Sequence, residues 1–234
     1  MKKIGIIGYG GRIRGMLWQM QQFNTEMRVA AITDLRNDEI REQLKQDGKD
    51  ASAIHFYSDA QRMLEREDLD GVMIGTRCSM HTHFACQVLK RNLPLFLEKP
   101  VSTTMADWNK LYAASRRTKS PVVVSFPLRV TAHVQQAVEI INRGEIGKIH
   151  HVQAWNNVPY GACYYQDWYR DEKTTQGLFL QKATHDFDYL TYVLGLKPVR
   201  VASMHAKLVY KGNLKAGLRC DACKLREELS LIHI

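Results

Sequence analysis

Short apolar runs alternate with amphipathic segments through the first half of the chain. Compact runs of β-branched and aliphatic residues predict buried strands, and apolar residues three and four positions apart predict helices. Strands that alternate with helices indicate βαβ units and a doubly wound parallel sheet of the α/β class, in which ligands bind at the carboxyl ends of the strands. The predicted strands are 3–7, 27–33, 71–74, 95–97 and 122–125, and the predicted helices are 12–23, 38–46, 81–90 and 104–118.

The pattern changes near Pro127, and the sequence predicts a domain boundary there, with a first domain at 1–124 and a second at 125–212. Two strands are too few to bury one face of a helix layer, so the second domain is expected to be a partial α/β domain with an open sheet. The stretch 213–234, which ends on an apolar pentapeptide, is expected to be a non-native or disordered tail. The second domain is predicted to contain helices at 131–142 and 177–194, strands at 149–156 and 199–210, and an aromatic-rich loop at 158–175.

The charge balance is basic, with a formal net charge of +9 and an isoelectric point near 9.3. Lys and Arg are spread along the chain without a block of like charge, so a solvated surface is favoured and no nucleic-acid partner is expected. A phosphate-bearing cofactor or an anionic substrate fits the same balance. No apolar run approaches the roughly 18 residues that cross a bilayer, so no membrane association is expected. The five cysteines are odd in number, which disfavours a disulfide framework, and we expect a cytoplasmic protein.

A glycine-rich turn, Gly8-Tyr9-Gly10-Gly11, follows the first strand and opens the first helix. In a βαβ unit this turn cradles a pyrophosphate on backbone N–H groups and on the helix N-terminus. The third glycine of the usual pattern is Ile13, so the motif by itself is also compatible with a tight turn between strand and helix.

Asp34 closes the second predicted strand, 26 residues after Gly8. A carboxylate there accepts hydrogen bonds from the hydroxyls of an adenosine ribose, which favours NAD. The alternatives are a helix cap and a solvated turn residue. Arg36 lies two residues on and can hold a 2′-phosphate, so NADP stays open.

Two groups of polar residues are candidate catalytic residues. Glu98-Lys99-Pro100 ends the strand at 95–97, where a lysine can polarise a substrate oxygen, although a surface lysine is the usual alternative. Lys182 and His185 are three residues apart on the predicted second helix, so they share one face. A histidine suits proton transfer from an alcohol, and an exposed polar helix face is the alternative.

The chain resembles the glucose-fructose oxidoreductase, inositol dehydrogenase and rhizopine catabolism (Gfo/Idh/MocA) family. The resemblance runs from about residue 3 to residue 210. It is carried by Ile4-Gly5-Ile6-Ile7-Gly8-Tyr9-Gly10-Gly11, by His81-x-x-x-Ala85 spaced to Glu98-Lys99-Pro100-Val101, by Gly144-Glu145-Ile146-Gly147-Lys148, and by the stretch from Gly177 to Asp188.

The resemblance implies a Rossmann domain, a substrate domain with an open sheet, NAD or NADP, and a sugar, polyol or related carbonyl substrate. Lys99 then matches the family's active-site lysine and His185 its active-site histidine, with Lys182 beside them. The family's usual aspartate four residues before the histidine is Gln181, which cannot ionise. The residues expected to bind the cofactor are Gly8, Tyr9, Gly10, Gly11, Arg12, Asp34, Arg36, Thr76, His81, Glu98 and Lys99.

The favoured hypothesis is an oxidoreductase that transfers a hydride between the nicotinamide and such a substrate, and whose full-length form is a homo-oligomer through the open sheet. One alternative is a dinucleotide-binding protein with the same fold and impaired catalysis, which Gln181 motivates. Another is an NAD-dependent relative that cleaves glycosides through transient oxidation.

Overall fold

The computed structural model describes residues 1–23, 25–158, 161–206, 208 and 218–226. Short 3-10 turns lie at Cys78–Met80, Pro127–Val130, Trp168–Arg170 and Cys220–Ala222. In chain order, the strands and helices are β1 (Lys2–Ile7), α1 (Gly11–Phe23), β2 (Met27–Thr33), α2 (Asn37–Gln46), β3 (His55–Tyr57), α3 (Ala60–Arg66), β4 (Gly71–Ile74), α4 (His81–Lys90), β5 (Leu95–Leu97), α5 (Met105–Ser115), β6 (Val122–Val124), α6 (Ala132–Asn142), α7 (Gly161–Gln166), α8 (Glu172–Thr175), α9 (Gly177–Gln181) and α10 (Thr184–Leu194).

The six strands form one parallel sheet in the order β3-β2-β1-β4-β5-β6. The chain crosses from one side of the sheet to the other after β3, so the order reverses between β1 and β4. A crevice opens at this switch point, outside the carboxyl ends of the two strands. The predicted doubly wound α/β fold is confirmed.

Side chains of the central strands pack alternately on the two faces of the sheet. Ile6 is fully buried among residues of α1 and α2, whereas Ile7 is buried among residues of α3, α4 and α5. Fully burying such a side chain contributes about 1.5–3 kcal/mol. The two apolar layers hold the strand ends in fixed positions, and with them the turns that form the crevice.

The strand β3 and the helix α3 were not predicted. β3 has three residues, His55–Tyr57, and none of its side chains is fully buried. A strand this short at the sheet edge shows neither an apolar run nor a clear alternation, which explains the omission.

The predictions for the second domain need three corrections. The segment 149–156 is not a strand, and neither are the described residues of the predicted strand 199–210, which are 199–206 and 208. A strand requires a hydrogen-bonded neighbour, and the described residues supply none to either segment. The predicted loop 158–175 contains α7 and α8. The predicted tail 213–234 lies largely outside the described residues.

The third correction concerns the helix predicted at 177–194, which is interrupted between α9 and α10. The carbonyl oxygen of Gln181 would accept from the amide of His185 in a continuous helix. It accepts instead from Lys99 Nζ at 2.6 Å, and the His185 amide bonds to the Lys182 carbonyl. The interruption therefore coincides with a contact between the two domains.

Candidate active site

The turn after β1 is pressed against the turn after β4. Gly8 has a φ of +84°, and a Cβ added to it would lie 2.8 Å from the Thr76 amide nitrogen. No side chain fits there without moving backbone. Thr76, predicted as a cofactor residue, therefore borders the same crevice as the glycine turn.

The N-terminus of α1 faces open space. A Cβ added to Gly11 would meet nothing within 4 Å. The first helical bond runs from the Arg14 amide to the Gly10 carbonyl, so the amides of the first turn have no partner inside the helix. Free amides, the positive end of a 13-residue helix and a missing side chain together fit the diphosphate of a dinucleotide.

Ile13, which stands in place of the third glycine, is fully buried in the core. The Ile13 side chain packs directly against Gly75, the residue that follows β4. A Cβ added to Gly75 would lie only 2.1 Å from Ile13 Cγ1, so only glycine fits at position 75 without a shift. The close packing that a third glycine usually allows is thus provided by Gly75. The departure from the motif does not disturb the cradle.

Asp34 lies beside the glycine turn. Its Oδ2 accepts from the Tyr9 amide at 2.9 Å, and its Oδ1 accepts from the Arg36 amide at 3.0 Å and from Arg36 Nε at 3.3 Å. The structure therefore brings these three predicted cofactor residues together at the end of β2. A carboxylate and a guanidinium thus lie together after the end of β2, 3.3 Å apart.

Arg12 and Glu98 connect the first turn of α1 to the end of β5. Arg12 Nε donates to Glu98 Oε1 at 3.2 Å, and the Glu98 side chain is 7% exposed. With Glu98 engaged by Arg12, no carboxylate among the described residues forms an ion pair with the neighbouring Lys99.

Lys99 is the central cation of the site. It follows β5, its peptide bond to Pro100 is cis, and its ammonium donates to the Gln181 carbonyl oxygen at 2.6 Å. Burial lowers the pKa of Lys99 to about 8, against smaller raising effects of Cys78 and Glu98. A lysine with this pKa can hold or release a proton near neutral pH.

His185 faces the same region from α10, with its ring edge-on to Phe126 at 5.9 Å between centroids. Burial, together with the nearby cations Lys99 and Lys182, lowers the pKa of His185 to about 4. The imidazole is therefore neutral at pH 7. Its Nδ1 is buried and has no hydrogen-bond partner among the described residues.

The carboxylates near His185 are engaged elsewhere. Asp186 lies 3.7 Å from Lys182 Nζ, and its Oδ1 also accepts from Asn156 Nδ2 at 2.7 Å. The Asp188 carboxylate accepts hydrogen bonds from Nε and from a terminal nitrogen of Arg129. Gln181 is 4% exposed, and its Oε1 is buried without a partner among the described residues. No carboxylate in the described part of the chain is therefore hydrogen-bonded to His185.

Lys182 and His185 were predicted to share one face of a continuous helix. This is wrong, because Lys182 lies in the break between α9 and α10. Both still lie close enough to Lys99 for its charge to interact with theirs. His81 lies behind the crevice: its ring is 1% exposed, and its two nitrogens face the carbonyl oxygens of Pro100 and Thr76.

An aromatic border was missed at the sequence level. The Arg77 guanidinium lies 3.9 Å from the Trp168 ring centroid, and Tyr169 stacks on Trp168 at 3.9 Å. Burial raises the pKa of Tyr169 to about 12. The clustering of aromatic residues at 158–175 was the available signal, but nothing in it indicated contact with the turn after β4.

Comparison with known proteins identifies the family. Residues 2–126 match a family model described as the oxidoreductase family with an NAD-binding Rossmann fold, and residues 134–221 match the GFO/IDH/MocA C-terminal domain. The chain belongs to the Gfo/Idh/MocA family. The first domain is accordingly an NAD(P)-binding Rossmann domain, and the second match runs into the stretch predicted as a tail.

Relatives and solved structures agree with this assignment. The chain is 26% identical to myo-inositol 2-dehydrogenase of Thermotoga maritima over 92% of its own length and 61% of that relative. The fold resembles that of myo-inositol 2-dehydrogenase from Lactobacillus plantarum, with a TM-score of 0.74 at 18% identity, covering 85% of this chain and 57% of that one. It also resembles the WlbA dehydrogenase from Bordetella pertussis, solved with NADH and UDP-GlcNAcA, with a TM-score of 0.69 at 20% identity, covering 82% and 58%. The chain thus spans somewhat more than half the length of each of these three proteins.

Proposed function

We propose that the protein containing this chain is an NAD(P)-dependent dehydrogenase or reductase that interconverts an alcohol and a carbonyl group of a sugar, polyol or related small molecule. The observation that carries the proposal is the position of Lys99. Its ammonium follows the carboxyl end of β5, interacts with His185, and has no carboxylate partner among the described residues. Names of relatives such as inositol 2-dehydrogenase support the substrate class.

The first-domain residues bind and orient the cofactor in this proposal. The amides of Gly11 and Arg12 receive the diphosphate, and Asp34 accepts from the ribose hydroxyls. The chemistry that bound NAD(P) supplies is acceptance or donation of a hydride. We propose NAD as the preferred cofactor, because the carboxylate of Asp34 disfavours a 2′-phosphate.

Lys99 and His185 act on the substrate oxygen. The Lys99 ammonium donates a hydrogen bond to that oxygen and stabilises the negative charge that develops on it. The His185 ring, partly buried and neutral at pH 7, can take a proton from a substrate hydroxyl. Burial of both groups excludes water and strengthens these interactions.

The second candidate is a dinucleotide-binding protein with little catalytic activity. Gln181 favours it, because the position where the family usually has an ionisable carboxylate holds an amide. Among the described residues, no carboxylate is hydrogen-bonded to His185 in its place.

Turnover of a panel of polyols and sugars with NAD and NADP, followed at the absorbance of the reduced cofactor, tests the proposal. We expect net NADH formation from at least one polyol, and loss of turnover in Lys99→Ala without loss of NADH binding. Lys90→Ala, which removes an exposed lysine of α4, is the matched control. Cofactor binding with no turnover on the whole panel would favour the second candidate, and glycoside cleavage without net NADH would favour the glycosidase chemistry.

A further inference from the structure

The first turn of α4 holds the backbone directly after Lys99. His81 Nδ1 lies 2.7 Å from the carbonyl oxygen of Pro100, and Thr82 Oγ1 donates to the carbonyl oxygen of Val101 at 3.2 Å. Both side chains are buried, with exposed fractions of 1% and 5%. Two consecutive carbonyls after Lys99 are thus held by two consecutive side chains.

The donor at His81 can be assigned from its surroundings. Its Nε2 faces a second carbonyl oxygen, that of Thr76, at 3.1 Å. Burial lowers the pKa of His81, and the two carbonyl oxygens raise it by smaller amounts. A neutral imidazole carries one N–H and a protonated imidazole carries two. The shorter contact takes the hydrogen, so Nδ1 donates to Pro100.

Lys99 is held from the other side as well. The amide of Glu98, the residue before it, donates to the Ile74 carbonyl at 3.0 Å and continues the sheet. The Lys99 side chain then reaches across to the Gln181 carbonyl. A flexible side chain keeps its ammonium in place only if its own backbone is fixed, and displacement by about 1 Å can strongly reduce turnover.

We propose that His81, together with Thr82, is a positioning residue that fixes the main chain after Lys99 and so keeps the Lys99 ammonium in the crevice. His81 touches neither cofactor nor substrate in this role. Only its consequence for turnover rests on the proposed function; the placement of Lys99 is measurable without a reaction.

Chemical acylation of Lys99 reports that placement. The chain is pulsed with acetic anhydride at a series of pH values from about 6 to 10, and Lys99 acylation is quantified by peptide mass spectrometry relative to exposed Lys90. In the wild-type chain the acylation midpoint is expected near 8, because Lys99 is buried. If the backbone after Lys99 is released, the ammonium can reach water. The pH midpoint of Lys99 acylation should then rise, and acylation at high pH should become faster.

Two variants at His81 separate positioning from simple burial. In His81→Asn the amide nitrogen can replace Nδ1 and keep the bond to Pro100, whereas in His81→Gln the nitrogen falls near the Nε2 position and that bond is lost. We expect the wild-type midpoint to be recovered in His81→Asn and raised by about one pH unit in His81→Gln, with acylation about threefold faster at high pH. His83→Gln, an exposed histidine on the same helix, is the matched control. Equal midpoints in the two His81 variants would overturn the proposal.

Thr82→Val provides the test if His81→Gln does not fold, because it removes one hydrogen bond with little change in size. An upward shift of the Lys99 midpoint supports the proposal, and a wild-type midpoint contradicts it. Turnover separates this inference from the proposed function. Wild-type turnover in Lys99→Ala would refute the function while leaving the acylation result intact. Loss of turnover in Lys99→Ala, combined with wild-type acylation and turnover in His81→Gln, would refute the positioning role.

Discussion

Asp34 shows how a single side chain serves both the fold and the ligand. It fixes the glycine turn through the Tyr9 amide and also pairs with Arg36. Each carboxylate oxygen has about two acceptor sites. Arg36 occupies both sites of Oδ1, and the Tyr9 amide occupies one site of Oδ2, so Oδ2 can still accept from a ribose hydroxyl. The sequence placed this residue correctly at the end of β2 but gave no sign that Arg36 is paired with it.

The pairing leads to a prediction on cofactor preference. In Asp34→Ala the repulsion of a 2′-phosphate disappears and Arg36 is released to bind one, so the ratio of NADH to NADPH affinity should fall or invert. Asp38→Ala, an exposed carboxylate in the first turn of α2, is the control. Titration of both cofactors measures the ratio, and an unchanged ratio in Asp34→Ala would rule out Asp34 as the ribose ligand.

The charges around Lys99 and His185 predict the pH dependence of turnover. Lys99 donates as an ammonium below about pH 8 and loses that charge above it, so its stabilisation of a substrate oxyanion declines as the pH rises through about 8. His185 is neutral above about pH 4, so the loss of turnover that comes from protonating His185 should occur near pH 4 and not in the ordinary histidine range. Lys99→Ala should lower turnover by about 10²-fold or more. A limb between about pH 6 and 7 that disappears in His185→Ala would contradict this assignment.

At the scale of elements, the contact between α1 and the end of β4 depends on one small residue. Ile13 fills the space that a side chain at position 75 would need, since a Cβ there would lie 2.1 Å from Ile13 Cγ1. Position 75 also borders the crevice, so crowding in the core is transmitted directly to the cofactor cradle.

Gly75→Ala should therefore destabilise the fold by about 1–3 kcal/mol through overpacking. The double variant Ile13→Ala/Gly75→Ala should be less destabilised than the sum of the two single variants, because the smaller side chain removes the clash. Urea unfolding of the four proteins measures this coupling. Strict additivity would show that the two positions do not compete for space.

The elements also show what a sequence pattern can predict. Apart from β3 and α3, the strands and helices of the first domain were predicted from their apolar runs and apolar spacing, and the glycine turn and Lys99 followed from their positions at strand ends. The strand predicted at 149–156 was wrong, because alternation alone does not supply a hydrogen-bonded neighbour. The break after α9 depends on a contact between Lys99 and Gln181, which are 82 positions apart, and no local pattern encodes such a contact.

At the scale of the whole molecule, the two domains differ in how well they bury apolar surface. The first domain covers its sheet on both faces, while Val199, Val201 and Met204 in the second are each at least three-quarters exposed. None of the described residues covers this segment. The chain spans 56% and 61% of the lengths of two of its curated relatives. No helix in the described residues is long and apolar enough to cross a membrane.

The exposed segment predicts self-association of the 234-residue chain. Val199→Thr/Val201→Thr should reduce concentration-dependent association, because it removes apolar surface without touching the first domain. Phe23→Ser, which changes an exposed side chain at the end of α1, is the control. Light scattering gives the size distribution. A wild-type chain that stays monomeric at all concentrations, with strong hydrogen-exchange protection through 199–206, would contradict the prediction.

The most direct test of the central claim, a dinucleotide cradle at the start of α1, is NADH binding by a Gly11→Val variant. A Cβ at position 11 would meet nothing within 4 Å, so the variant should keep the wild-type melting temperature, but its side chain fills the space assigned to the diphosphate. Gly15→Val, one turn along the same helix and equally uncrowded, is the matched control. Fluorescence titration with NADH should show affinity at least about tenfold weaker in Gly11→Val and wild-type affinity in Gly15→Val. Wild-type affinity in a folded Gly11→Val would mean that the glycine turn only connects strand to helix and that the cofactor is not bound there.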